Sequence, residues 1–226
     1  ETGLSAEKIK GGKKLEEYEW EQLNMKIKSL VKAPMYIDDT PSLSVNELRS
    51  KARKLVSLHG VKAIIIDYLQ LMTGPAELRG MREQEVSAIS RSLKAIAKEL
   101  NVPVIALSQL SRAVETRGGT KRPQLSDLRE SGAIEQDADL VLFIHRQDYY
   151  GLSDDTQTTP GLTDIIIAKH RNGAVCDVQL RFRNSEVKFV DVTDPALNSG
   201  DSNYQNFGSI MNSDSYRSNS EFESDF

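Results

Sequence analysis

Ala63-Ile64-Ile65-Ile66-Asp67 is an apolar, mostly β-branched run that ends abruptly on a carboxylate. With Val61 in front, residues 61–66 have the composition of a strand buried on both faces, where alternation with polar residues is not required. Three similar runs follow at residues 103–107, 140–144 and 165–168. Between the first two, Val86, Ile89, Leu93, Ile96, Ala97 and Leu100 repeat at a spacing of three to four, which predicts a long helix over residues 82–100. On the other side, Ser44 and Glu47 form a Ser-x-x-Glu capping box that opens a helix running to about Leu58, with His59-Gly60 as its stop. Further out, residues 15–31 carry apolar residues at helical spacing and Met35-Tyr36-Ile37 reads as a short strand. Residues 178–182 and 187–190 alternate and predict an antiparallel closing hairpin around Asn184-Ser185. Strands separated by helices give an α/β fold: a mostly parallel sheet flanked by helices, with right-handed crossovers and that hairpin at its end.

The composition bounds what such a chain does. Its 226 residues hold 29 Lys+Arg against 33 Asp+Glu, with 38% hydrophobic residues, enough for one domain with a core. A net charge of −4 removes any global argument for nucleic-acid binding, so that argument has to come from local clusters. The lone Cys176 excludes an internal disulfide and fits a reducing compartment. No apolar run approaches the roughly 18 residues of a membrane-spanning helix, and no leader-like segment stands at the start. The first residues, Glu1-Thr2-Gly3, lack Met and read as mid-protein text, so an N-terminally incomplete domain is expected.

The composition shifts at Asp191. Residues 191–226 hold seven acidic residues and one cation, Arg217; this net of −6, out of a total of −4, leaves +2 for residues 1–190. That segment has 13 Ser or Asn and no apolar period, so it is expected to be a disordered acidic tail behind a folded domain over residues 1–190. Its spaced aromatics (Tyr204, Phe207, Tyr216, Phe222, Phe226) suit either a solvated tail or a short peptide that docks on a basic partner.

In open parallel sheets ligands bind beyond the carboxyl ends of the strands, so the residues just after each run are the informative ones. They are Asp67; Ser108 and Gln109; His145 and Arg146; and Lys169, Arg171, Asn172 and Gly173. Asp67 after four apolar residues is a Walker B pattern, whose carboxylate holds the water shell of a nucleotide-bound Mg²⁺; strands of structural sheets also end in Asp. Gln109 brings an amide able to sense a γ-phosphate or orient water, or equally to tether a loop. Lys169 and Arg171 lie on one side of a strand end and form a cationic pair suited to phosphate charge, with a solvated strand end as the alternative. His145 and His170 have no metal-ligand spacing with Cys176, and His59 sits at a helix end.

Residues 109–123 hold Arg112, Arg117, Lys121 and Arg122 against Glu115, around Gly118-Gly119, and read as a flexible basic loop. Just beyond, Arg129 with the small Ser131 and Gly132 leaves backbone N–H groups open to a phosphate chain. No aromatic is interleaved, which points to backbone tracking without base stacking.

In order along the chain, residues 63–72, 104–112, 122–139 and 165–173 closely resemble the C-terminal motor domain of the DnaB-type bacterial replicative helicases, over about residues 1–190. The resemblance implies a RecA-like P-loop NTPase core that uses ATP and Mg²⁺ and works as a homo-hexameric ring on single-stranded DNA. The implied activity is 5′-to-3′ unwinding at the replication fork, in the cytoplasm, alongside primase and a helicase loader. By motif, Asp67 resembles the Walker B carboxylate and metal partner, and Gln109 the γ-phosphate-coupled glutamine. Arg171 with Lys169 resembles the arginine finger that reaches a neighbouring subunit's nucleotide. Arg129, Glu130 and Gly132 resemble the loop that holds DNA phosphates, with Glu130 contributing backbone or orienting Arg129. The chain departs from the family in having no Gly-x-x-x-x-Gly-Lys-Ser/Thr, and Tyr68 rather than an acid follows Asp67. By itself it is expected to be inactive as an enzyme. A RecA-type recombinase, a clock-type ATPase of the same fold, and a non-enzymatic DNA-binding and oligomerisation module are the competing readings.

Overall fold

The computed structural model describes residues 1–11, 14–119, 121–146, 148–150 and 161–193, with backbone alone for 129–131 and 150. The expected acidic tail falls almost wholly on residues 194–226, outside the described residues. Among the described residues six helices and six strands succeed one another: α1 (Ala6–Lys10), α2 (Glu17–Lys32), α3 (Val45–His59), β1 (Ile64–Ile66), α4 (Arg82–Leu100), β2 (Val104–Ala106), α5 (Ala113–Thr116), α6 (Gly132–Asp137), β3 (Leu140–Arg146), β4 (Leu162–His170), β5 (Cys176–Arg183) and β6 (Lys188–Asp191). A 3₁₀ segment, Leu125–Ser131, leads directly into α6.

Local sequence rules account for the long helices. Ser44 Oγ accepts the Glu47 N–H at 3.3 Å while Glu47 Oε2 accepts the Ser44 N–H at 3.1 Å, which is the predicted capping box of α3. Gly60 ends that helix in the left-handed region at φ 63. The stripe of α4 turns Val86, Ile89, Leu93 and Ile96 into the core, where Ile89 and Ile96 have no exposed surface at all. They pack with Leu69, Met72, Leu128, Ile134, Val141, Phe143 and Ile166, so one helix joins both sheets and the segment around α6.

The strands divide into two sheets. β1 and β2 pair in parallel, Ile64 beside Val104 and Ile66 beside Ala106. β3, β4, β5 and β6 form a four-stranded antiparallel sheet in sequence order. The predicted hairpin is its β5–β6 edge. Apart from an isolated parallel bridge between Ser44 and Thr73, parallel pairing among the described residues is thus that of β1 and β2, whereas the sequence pattern put 140–144 and 165–168 in a parallel sheet as well. The 15 residues between Arg146 and Leu162 carry no apolar helical stripe for a crossover, and β4 returns beside β3 in the opposite sense.

Burial also departs from the prediction. Ile65 is 69% and Ile105 53% exposed, and on β3 only Val141, Phe143 and His145 turn inward while Leu140, Leu142 and Ile144 face out. α4 covers one face, and no described element covers the other. Met35–Ile37 forms no strand; Tyr36 instead lies against the His59 ring, with centroids 4.8 Å apart.

Candidate functional site

Parallel pairing sets the carboxyl ends of β1 and β2 side by side. The Leu107 N–H donates to the Ile66 carbonyl and the Leu69 N–H to the Leu107 carbonyl, each at 2.9 Å, so Asp67 and Ser108-Gln109 leave their strands together. The Asp67–Tyr68 peptide is cis. Asp67 is exposed, and no described group hydrogen-bonds or pairs with its carboxylate. Among the described residues no cluster of three or more His, Cys, Asp or Glu could cage a metal. A lone free carboxylate fits a Mg²⁺ that takes its other ligands from phosphate and water.

Gln70, which sequence reasoning passed over, organises this edge. Its Oε1 accepts the Gln109 N–H at 3.2 Å, while its Nε2 donates to the Gln109 carbonyl at 3.2 Å and to Ser108 Oγ at 3.0 Å. One side-chain amide thus pairs with the backbone of Gln109 as a strand would and leaves the Gln109 amide projecting. Gln70 is itself held by Arg82 at the start of α4, which donates to its carbonyl at 2.7 Å and to Glu85 at 2.9 Å. The Gly74 N–H on Glu85, with Arg82 beside it, outweighs burial and holds that carboxyl below its usual range. The signal available in sequence was Gln70 itself, three residues past Asp67, but its partner lies 39 residues away.

Lys169 and Arg171 meet a different part of the molecule. Antiparallel pairing puts His170 beside Leu140, so this end of β4 lies at the start of β3, opposite the end that carries His145 and Arg146. The four strand ends therefore do not share one edge. Lys169 Nζ donates to the carbonyls of Glu135 and Gln136, and Arg171 Nη2 to that of Gln136 at 3.3 Å, so both cations cap the carboxyl end of α6. Arg171 also pairs with Asp139 at 3.2 Å. Asp139 accepts Lys94 as well; Lys94 first, then Arg171 and Lys169, lower its pKa. No described contact joins Lys169 or Arg171 to Asp67 or Gln109 within the chain.

His145 and Arg146 are structural. His145 is buried and paired in register with Asp164, and burial lowers its pKa, favouring neutral imidazole. Arg146 pairs with Asp148 at 3.0 Å and lies over the Phe182 ring.

The stretch read as a flexible basic loop is tied down. Arg117 forks onto the buried Asp127, whose carboxylate also accepts the Gln124 N–H at 2.7 Å. Arg122 reaches Asp177 at 2.5 Å and Asp164 at 3.7 Å. Two of its four cations thus answer carboxylates inside the molecule. Arg129 and Glu130 lie on the Leu125–Ser131 segment and Gly132 opens α6; a Cβ on Gly132 would meet nothing within 4 Å, so a side chain there would point into open space.

With this geometry in place, the comparisons assign the family. The model of the DnaB-like helicase C-terminal domain matches residues 1–191. The chain belongs to that family. It is 51% identical over 192 residues to the replicative DNA helicase DnaB of Geobacillus stearothermophilus and 50% identical over 192 residues to the replicative DNA helicase DnaC of Bacillus subtilis. Each alignment takes in 85% of this chain and 41% of the relative, so the chain spans about two fifths of their length. Solved structures agree. A DnaB-like replicative helicase studied for its interactions with primase superposes with a TM-score of 0.75 at 42% identity, over 84% of this chain and 45% of that one. A second solved structure, that of an isolated ATPase domain, gives the same score and identity, over 84% and 66%. The expected RecA-like class holds, and this DnaB-family domain carries the two strand-end clusters at separate places on its surface.

Proposed function

We propose that the chain is the C-terminal part of the motor of an ATP-dependent replicative DNA helicase, acting in the cytoplasm at the fork as a hexameric ring on single-stranded DNA. The observation that carries this reading is the placement of the two clusters. Asp67 and Gln109 leave adjacent strands with a free carboxylate and a projecting amide, while Lys169 and Arg171 cap the carboxyl end of α6 and make no described contact with either. In a head-to-tail ring those clusters are complementary halves of one site. Asp67 holds the water shell of Mg²⁺, Gln109 registers the γ-phosphate, and Arg171 with Lys169 from the next subunit stabilises charge on the transferred phosphoryl group.

Arg129, Glu130 and Gly132 face the DNA backbone in the channel. Gly132, in open space, lets phosphate approach the start of α6, and Glu130 serves through its backbone or by orienting Arg129. Likeness to a helicase studied with primase supports primase as a partner, and a helicase loader belongs to the same reading. The relatives' descriptions as replicative helicases weigh against the recombinase, clock-ATPase and non-enzymatic readings.

The 226 residues contain no Gly-x-x-x-x-Gly-Lys-Ser/Thr, so the chain by itself lacks the cradle for β- and γ-phosphates. Calorimetric titration of the chain with Mg-ATP is expected to give no binding at micromolar nucleotide, whereas the full-length protein binds, hydrolyses ATP and opens forked DNA. Micromolar affinity in the chain would contradict the first expectation. A full-length protein without DNA-dependent hydrolysis would overturn the helicase reading.

A further inference from the structure

Arg122 counts as a cation of a basic loop in the sequence, yet its surroundings give it another role. Its guanidinium meets Asp177 on β5 at 2.5 Å and Asp164 on β4 at 3.7 Å. Asp164, whose side chain is 13% exposed, also accepts Gln179 Nε2 at 3.2 Å, and the register puts Asp164, Asp177 and Gln179 on the sheet face that buries Phe143. The Arg122 carbonyl accepts Arg117 Nη1 at 3.2 Å, and Arg117 forks onto Asp127. Pro123 next to it is buried. A cation between two carboxylates, with its own backbone pinned, has little left to offer a phosphate.

The segment that follows is fixed to the same sheet twice. Arg122 ties its start to β4 and β5, and Lys169 and Arg171 on the far end of β4 tie its end through the carbonyls of α6. Between these anchors lie Arg129, Glu130 and Gly132. We infer that Arg122 is a positioning residue, which holds the Leu125–Ser131 segment and α6 against the four-stranded sheet through Asp177 and Asp164 and so presents that segment to DNA. The DNA half of this inference rests on the function proposed above; the anchoring half does not.

Asp177→Asn gives a test whose sign separates the two roles. Losing a surface carboxylate near a DNA path tightens binding if only charge matters, whereas losing the anchor weakens it. In the full-length protein, both Asp177→Asn and Arg122→Ala are expected to lower single-strand affinity, Arg122→Ala by about fivefold and at least as much as Asp177→Asn, and the double variant no further than Arg122→Ala, because that substitution already removes the Asp177 and Asp164 contacts together. The slope of log affinity against log salt is expected to stay at the wild-type value; a lost phosphate contact would reduce it by about 0.7. Hydrogen exchange in the chain itself supplies a readout without DNA. Amides of residues 124–132 are expected to exchange about fivefold faster in Asp177→Asn, with the core amides of α4 unchanged as the check on folding. Unchanged exchange in 124–132, tighter binding by Asp177→Asn, or a reduced salt slope in Arg122→Ala would each overturn the positioning role. Faster exchange in a protein whose wild type binds no single-stranded DNA would uphold the anchor and defeat the DNA assignment instead.

Discussion

At the scale of single residues, the molecule spends its charges on itself. Asp127 is buried, and although burial pushes its carboxyl up, the Arg117 guanidinium and the Gln124 N–H together hold it below its ordinary 3.8. Such a group stabilises the fold fully above that ordinary value, and the contribution is lost as pH falls through the lowered one. Thermal melts of the chain should therefore be flat above about pH 5 and decline in acid. Asp127→Asn should cost about 1–3 kcal/mol at pH 7 and soften the acid decline; equal melts of variant and wild type at pH 7 would count against the buried pair. Gln70 is the residue-scale prediction for catalysis. With its amide gone, the Gln109 backbone keeps only a long 3.5 Å contact from Ser108 Oγ among the described residues, so Gln70→Ala in the full-length protein should cut DNA-stimulated hydrolysis about tenfold while nucleotide affinity changes little, an orientation loss of about 1.4 kcal/mol. Stimulation equal to wild type would show that Gln109 is oriented by something else.

Elements were legible in the sequence where the determining interaction is local. The capping box of α3 spans three residues, and the stripe of α4 predicts both its ends and its buried side. Ile89→Ala should remove about 2–5 kcal/mol, read by denaturant unfolding, because α4 joins the two sheets and a cavity there has no single wall free to collapse. A loss under about 1 kcal/mol would mean that the core is not continuous through α4. Strand direction was not legible. Apolar runs at 140–144 and 165–168 look alike in either sense, and what decides between them is a register formed across a 15-residue connection. Nor was the fate of Arg122, whose carboxylate partner Asp177 lies 55 residues on, so a tied strut reads in sequence as a free loop cation. Runs such as 61–66 predict two buried faces, but burial depends on what lies over the strand, and among the described residues nothing covers Ile65 or Ile105.

At the scale of the whole molecule, the separation of the two strand-end clusters is the central finding. Asp67 and Gln109 were legible as strand-end residues, and so were Lys169 and Arg171, but the pattern put them at one edge. Antiparallel pairing of β3 and β4 instead turns the cations toward the carboxyl end of α6. On the function proposed above, a nucleotide bound at Asp67 takes its cation from another subunit. Ring-forming full-length protein prepared as Asp67→Asn and as Arg171→Ala, each inactive alone, measures this directly when the two are mixed and allowed to exchange subunits. ATPase activity is expected to reappear in mixed rings, where an intact Asp67 of one subunit faces an intact Arg171 of the next; mixtures that stay as inactive as either parent, in rings shown to have exchanged, would contradict a site shared between subunits.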